Sequence, residues 1–598
     1  MSYSNPVAGK AVCDIPLKTL LKTRSLDITE SATPGKYRLI SCVDFIQEER
    51  LIILEFTDFP EVPYAALSYV WQGNTPKMDL DGQVFNVPVP DAEGASAGDP
   101  IGLEVLREAC VASRACGTTH LWIDRLCIMQ KSTDDKRWQI SRMYEIYRQC
   151  KICIVAPGGL QCLVRLDEET QWIHRGWTLQ EAVAPPTVAV LFSWALGSRR
   201  AWAGDLQGNI DEVTLGRSAM MPLSLIVDAC TTGSLSVENG ASRLLLEVKL
   251  FSSHPADRSY RDFPFWGETR RVLSPNVGAL ARIMSRHLDQ DAKDHSIWQS
   301  ALMRTSSRPV DMVFSIMGLF GITLDTSKFG KQDRVQATIA LARAIMEKGG
   351  RATWLAAAFR IQPSRQISTF PLFPRTSVSG KAFVKVTAGV QEVSLMMENE
   401  YPIAQALVPM PSGSMDHEGY VNFSSKAIPI RPHSLDPAQT PSDPAKPTYF
   451  QAVDKSWWKI QDSGVSVERE AFAVLIGYFV GYYPGGTPAA DTNNIRAAII
   501  EKHAQKRYHV RTYLALSSHV KAWVQEWPEQ TFSVGGPAVD VVEDLGEKMP
   551  VVSVPKEQYL NNPRCAHSGA ASSLEDQVIR RSRWAVPQEA LERHVGLG

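Results

Sequence analysis

The sequence predicts an α/β fold: a parallel-sheet domain near the N-terminus, then a mainly helical region and a mixed or mainly β C-terminal module. Three observations predict it. Between residues 64 and 156, short apolar runs alternate with amphipathic stretches, the pattern of a parallel sheet covered on both faces. From about residue 275 to 347, apolar residues recur at helical spacing. Beyond Arg360 the texture shifts to short alternating runs broken by proline and glycine. A chain of 598 residues with 44% hydrophobic and 21% charged side chains can bury several cores. We divide it into a strand leader (1–61), an α/β domain (62–199), a helical region (200–358) and a C-terminal module with a flexible tail (359–598).

Taken in order, Tyr37–Phe45 and Arg50–Phe56 flank a polar turn and read as a hairpin that edges or caps the next domain. Leu67–Trp71 reads as a short strand. Asp99-Pro100 reads as a helix entry, with aspartate at the cap and proline at the first helical position. That helix carries Leu103, Leu106, Cys110 and Ser113 on one face and stops at Gly117. Strand 121–124 follows, then a helix over about 134–149 with Ile140, Met143 and Tyr147 on one face, then strand Lys151–Ala156. Farther on, Val277, Leu280, Met284 and His287 share one helical face, and Val335, Ile339, Ala342 and Met346 another. Ala471–Val480 is a buried strand, too short to cross a bilayer. A linker is expected near Pro432 to Pro447 and a last helix at Leu574 to Arg583.

Composition excludes several classes. A net charge of −1, from 63 basic and 64 acidic side chains, gives no global electrostatic reason to bind nucleic acid or an anionic membrane. The N-terminus has no basic region followed by an apolar run, which argues against export and for a cytoplasmic protein with its ten cysteines reduced. A structural zinc needs four converging ligands. Cys110, Cys116 and His120 supply three, and the pair Cys150 and Cys153 has no partner pair nearby, so no metal is expected. With no G-x-G-x-x-G after a strand, no Walker loop and no G-x-S-x-G elbow, no bound cofactor is expected either.

Open parallel sheets bind ligands outside the carboxyl ends of their strands. Asp124 sits at such an end, and Ser68 or Tyr69 shares the edge. A ligand role for Asp124 competes with capping of its own loop and with pairing to Arg125 or Arg175. Cys127 reads as a small buried hydrophobe. Thr178-Leu-Gln-Glu181 reads as a capping box, in which the glutamate reaches back to the start of its helix. That accounts for Glu181 structurally, and it also leaves a carboxylate where it could serve a polar substrate. Trp177 is either an aromatic wall of such a site or a core contact.

Three blocks, Tyr64-Ala-Ala-Leu-Ser-Tyr-Val-Trp71, Leu121 to Gln130 and Arg175-Gly-Trp-Thr-Leu-Gln-Glu181, resemble in order and spacing the signature of the heterokaryon-incompatibility (HET) domain of filamentous fungi. The segment Thr305 to Leu319 resembles the Arg-Asp stretch that commonly follows it, and Gln72 departs from the usual Trp-Gly. The resemblance covers about 62–182 and leaves 360–598 without an assignment. It implies non-self recognition and programmed cell death. It further implies a remote likeness to TIR domains, some of which cleave the nicotinamide–ribose bond of NAD with one glutamate, here matched by Glu181. On this basis Glu181 and Asp124 are the expected catalytic pair, in a pocket with Arg175 and lined by Ser68, Tyr69, Trp71 and Trp177. Arg175 would neutralise a dinucleotide phosphate or pair with Asp124. NAD would then be substrate rather than cofactor, and self-association would complete the site. Two other readings stand beside this one: a non-enzymatic signalling domain whose downstream regions sense a protein partner, and another small-molecule enzyme on the same scaffold.

Overall fold

The computed structural model of the chain describes residues 9–77, 83–89, 98–251, 274–386, 389–403, 408–434, 445–461, 470–482, 493–504 and 506–537. The helix expected at 574–583 lies outside them.

Twelve strands make one sheet. They are β1 (Lys10–Pro16), β2 (Tyr37–Ser41), β3 (Arg50–Phe56), β4 (Tyr64–Tyr69), β5 (His120–Trp122), β6 (Ile152–Ala156), β7 (Val188–Ser193), β8 (Arg199–Ala203), β9 (Leu206–Thr214), β10 (Ser218–Pro222), β11 (Ser234–Asn239) and β12 (Ser242–Glu247). Their spatial order is β1-β3-β2-β5-β4-β6-β7-β10-β9-β8-β11-β12. Only the central four, β5, β4, β6 and β7, run parallel to one another. The sheet is therefore mixed rather than parallel. The leader does not cap a separate domain: it adds three antiparallel strands beside β5. The segment expected to be mainly helical from residue 200 opens instead with antiparallel strands. Apolar alternation is absent from β9, which fully buries Ile210 alone among its nine residues, and in β11 is confined to Leu235 and Val237.

Helix α1 (Leu103–Ala115) begins after Gly102, not at Asp99-Pro100. Ile101–Gly102 is held in a two-stranded ribbon with Val84–Phe85, which delays the start of the helix. The Asp99 carboxylate instead accepts the Gly73 N–H at 2.7 Å. Helix α2 (Asp124–Cys127) is a single turn, and α3 (Thr133–Gln149) is capped by Ser132, whose hydroxyl accepts the Asp135 N–H. After α4 (Thr178–Val183) come α5 (Pro275–Met284), α6 (Gln290–Leu302), α7 (Asp311–Met317) and α8 (Arg334–Glu347). His287 falls beyond the end of α5. The buried stripe of α8 passes through Ala337, Leu341 and Ile345, leaving Val335 and Ile339 at its margin.

The C-terminal part is β-rich. Strands 420–433, 471–481, 494–504, 507–517 and 529–535 pair in a ring that closes on itself, so these five need no separate edge protection. Ala471–Gly481 is buried almost throughout. Pro432 is paired opposite Trp458 inside the first of these strands rather than lying in a linker, and residues 435–444 of the expected linker lie outside those described. Among the described residues no helix is long and apolar enough to cross a membrane, and nine cysteines are free thiols.

Candidate functional site

The carboxyl end of β4 organises the site. Successive residues of a strand point to opposite faces, so Ser68 and Tyr69 engage different partners. On one side, the Ser68 hydroxyl donates to the Glu181 carboxylate and accepts the Trp172 indole N–H at 2.8 Å. On the other, the Tyr69 hydroxyl donates to one oxygen of Asp124, and the Trp71 indole N–H donates to the other at 2.9 Å. Asp124 is the first residue of α2, just past β5, and the Gln130 amide donates to its backbone carbonyl at 2.9 Å. The two carboxylates are thus anchored by adjacent residues of β4, Glu181 through Ser68 and Asp124 through Tyr69. The Arg175 guanidinium lies 6.0 Å from the Trp71 ring and that of Arg125 5.7 Å from the same ring.

The capping box does not form. Capping requires an extended residue before the helix, yet Trp177 already has helical angles (φ −62°, ψ −34°) and Thr178 lies inside the first turn. The Thr178 hydroxyl donates to the carbonyls of Trp172 and Arg175 and accepts from Arg304 Nη1 at 2.8 Å. Glu181 is therefore released from the helix start and turned toward Ser68. Its hydrogen-bond partner, Ser68, comes from the opening block of the sequence rather than from its own helix.

Electrostatics follow from this placement. Burial pushes the Glu181 carboxyl up to about 7; the Ser68 hydrogen bond and the Arg175 charge oppose the rise, and the Asp124 charge adds to it. Burial and then the neighbouring Asp124 charge hold the Tyr69 phenol well above its usual range. Burial lowers Arg304 to about 9, opposed by the charge of Glu181. Asp311 is raised to about 6 by burial, against the Arg308 charge and hydrogen bonds from Trp177 and Ser306. Burial pushes the Cys127 thiol up to about 12, which removes it as a nucleophile at neutral pH.

Seven residues were expected here: Ser68, Tyr69, Trp71, Asp124, Arg175, Trp177 and Glu181. They fall into two hydrogen-bonded sets, Ser68 with Glu181 and Tyr69 and Trp71 with Asp124; Arg175 acts on Glu181 through its charge, and Trp177 faces Asp311. Three participants lie beyond that expectation. Trp172 anchors Ser68, Arg304 holds the loop that bears Arg175, and Asp311 binds Trp177. Trp172 lies only a few residues before Arg175, but Arg304 and Asp311 come from more than a hundred residues downstream. The contact is continuous: Thr305 N–H donates to His174 carbonyl at 2.7 Å, and Gly176 N–H donates back to Thr305 carbonyl at 2.8 Å. Gly176 leaves room for this docking, since a Cβ there would lie 3.0 Å from Met312 Sδ. Gly73, after the unusual Gln72, is equally constrained: a Cβ would sit 2.0 Å from the Gly158 carbonyl oxygen. Among the described residues, no group of three or more His, Cys, Asp or Glu could hold a metal.

The family model for heterokaryon incompatibility protein (HET) matches residues 64–163, which include Ser68, Tyr69, Trp71 and Asp124 and end before Arg175 and Glu181. The chain is also 25% identical over 136 residues to Vegetative incompatibility protein HET-E-1 of Podospora anserina, an alignment covering 21% of this chain and 9% of that protein. No solved structure matches. The opening and central blocks built around β4 and Asp124 thus fall within the segment, residues 64–163, over which the chain carries a match to the HET domain.

Proposed function

We propose that the protein acts in fungal non-self recognition and cell-death signalling by hydrolysing the nicotinamide–ribose bond of NAD. The observation that carries this reading is Glu181, a buried carboxylate raised to about 7 at the carboxyl edge of the parallel strands, with the Arg175 charge acting on it. In the reaction the C1′–N bond breaks and its electron pair leaves with nicotinamide. The oxygen of water bonds C1′, and its proton passes to the carboxylate and on to solvent. An ionised Glu181 stabilises the oxocarbenium-like centre, and a pKa near neutrality suits it to accept that proton. Asp124, oriented by Tyr69 and Trp71, receives a ribose hydroxyl, Arg175 pairs with a phosphate, and Trp71 and Trp177 flank the bound dinucleotide. Self-association completes the site, as the likeness of HET to TIR domains implies.

A second reading has its own observation. Glu181 is 8% exposed and closes a hydrogen-bonded chain with Ser68 and Trp172, as a structural carboxylic acid would. In that case the domain signals without catalysis, and the regions beyond residue 200 sense a protein partner. Nicotinamide release over a protein concentration series separates the two. The catalytic reading expects release that rises with self-association and falls by at least about 100-fold in folded Glu181→Gln, with a smaller fall in Asp124→Asn. A folded, self-associated protein that releases none at any concentration overturns catalysis and leaves the signalling reading.

A further inference from the structure

The two edges of the large sheet are finished differently. At one, β1 starts on Lys10, slips register between Ala11 and Cys13 and ends on Pro16. A charge, a bulge and a proline keep an edge from pairing with another chain. At the other edge, β12 pairs with β11 without a register shift, from Ser234 opposite Glu247 to Asn239 opposite Ser242, and among the described residues it ends the sheet. Its sequence is Ser-Arg-Leu-Leu-Leu-Glu, with neither proline nor bulge, and Leu245 at its centre is 53% exposed.

The hydrogen-bond phase of β12 is fixed by the residue that follows it, since the Val248 N–H donates to the Gly233 carbonyl at 3.0 Å. Bonded and non-bonded pairs alternate along an antiparallel ladder. Leu246, Leu244 and Ser242 therefore bond β11, and the N–H and C=O groups of Arg243, Leu245 and Glu247 point away from it. The side chains of those three residues share one face of the sheet. It is the outer face. Leu246 and Leu244 stand opposite Leu235 and Val237 of the core, whereas Leu245 continues a row through Ser236 to half-buried Trp202, whose ring lies 4.1 Å from the Arg243 guanidinium.

We propose that two copies of the chain join β12 to β12 antiparallel, about a two-fold axis between their Leu245 residues. In that register outward backbone groups meet outward ones: Leu245 stands opposite the partner's Leu245 and Arg243 opposite the partner's Glu247, each pair exchanging both backbone bonds. Unlike charges meet and the exposed leucine is covered, so the patch is self-complementary and closes at two chains. A slip of two residues would keep the backbone phase but set Leu245 against a charge. Glu247 also pairs with Lys249 of its own chain at 3.0 Å, and a carboxylate accepts from more than one cation. β12 is remote from β4 in the strand order, and the pairing does not depend on the reaction proposed for Glu181.

Sedimentation velocity of the full chain over a concentration series tests this. The unaltered protein is expected to form a reversible dimer. Arg243→Glu and Glu247→Arg, each alone, set like charges opposite one another and should dimerise at least about tenfold more weakly. An equimolar mixture of the two restores unlike pairs and should recover the dimer. Leu245→Lys, a charge of the kind that protects natural edges, should leave a monomer. If a charge variant does not fold, Leu245→Lys and the unaltered protein decide. A monomer at every concentration, a mixture no tighter than its components, or self-association unmoved by these variants overturns the proposal; in the last case the chains meet through another surface, such as one at the Glu181 site.

Discussion

Two buried charge clusters flank the helix α3, and they are built in opposite ways. At its N-terminus, Arg38 uses every donor it has: Nε bonds Glu55, Nη1 bonds the Cys127 carbonyl and Asp135, and Nη2 bonds the Thr33 carbonyl and Asp135. Asp135 is saturated in turn by the N–H groups of Gly35 and Met129. Around Glu181 the arrangement is incomplete. Arg304 reaches Ser300, Thr178 and the Arg175 carbonyl, but its other terminal nitrogen is buried without a partner, and it touches Glu181 only through its charge. A saturated network fixes geometry; an unsaturated one keeps its groups near the point of gaining or losing a proton. The first holds the loop that follows Asp124. The second holds the carboxylate that burial raises to about 7.

The largest expected effect falls on the saturated cluster. Arg38→Met leaves Asp135 and Glu55 buried without their cation, and breaking such a network costs about 3–5 kcal/mol. Urea denaturation followed by circular dichroism measures it. A loss below about 1 kcal/mol would erase the contrast between the clusters.

Next comes the pH dependence attached to Glu181. Its carboxyl is raised from 4.5 to about 7 on folding, so below pH 4.5 it is protonated in both states and contributes its full stabilisation. Between those values the unfolded chain releases the proton while the folded one keeps it, and stability falls as pH rises. Above about 7 the contribution is gone. At roughly 1.4 kcal/mol per unit the whole swing is at most about 3.5 kcal/mol. The difference in unfolding free energy between the unaltered protein and Glu181→Gln, taken from pH 4 to 8, isolates it. A flat difference would mean that Glu181 is solvated, and the resemblance to a poised carboxylate would fail.

What could be read in the sequence follows the same division. Ser68, Tyr69, Trp71 and Asp124 lie in compact blocks at the ends of strands, where apolar runs give way to polar residues, so their convergence on one edge follows from strand alternation. Arg304 and Asp311 were not visible as site residues, because Arg304 meets Thr178 across 126 residues of chain and no local pattern encodes that docking. The capping box was misleading for a backbone reason: the turn Trp172–His174 leads into α4 with Trp177 already helical, so Thr178 falls one position too late to cap. The strands between 199 and 247 escaped because exposed positions outnumber buried ones in β9, while the β-rich character of the C-terminal part was legible in runs such as Ala471–Val480; the closure of its strands into a ring, a matter of pairing across long separations, was not.

Thr178 offers a third and smaller test of the unsaturated cluster. Thr178→Val keeps the shape but removes the donor shared by two carbonyls and one of the three acceptors of Arg304, for an expected loss of about 1–3 kcal/mol. Thr178→Ser restores the hydroxyl and should recover most of it. Thermal and urea unfolding of both variants measure the difference. If valine costs no more than serine, Arg304 is held by its other contacts and does not depend on this hydroxyl.

The smallest effect belongs to Ser132, whose hydroxyl accepts the Asp135 N–H at 3.2 Å as the cap of α3. Ser132→Ala alone should cost about 1 kcal/mol. Its value lies in combination. Ser132 and Arg38 both fix Asp135, one through its backbone and the other through its side chain, so the double variant Ser132→Ala with Arg38→Met should depart from additivity by about 0.5–3 kcal/mol. Ser132→Ala with Glu181→Gln shares no partner and should add to within about 0.5 kcal/mol. Unfolding free energies for the four single and double proteins in each cycle give both numbers. Coupling in the first cycle and none in the second would establish that the saturated cluster acts as one structural unit, separable from the carboxylate at the end of β4. Equal coupling in both would show that α3 transmits strain between them, and Glu181 could not then be altered without disturbing the fold that supports it.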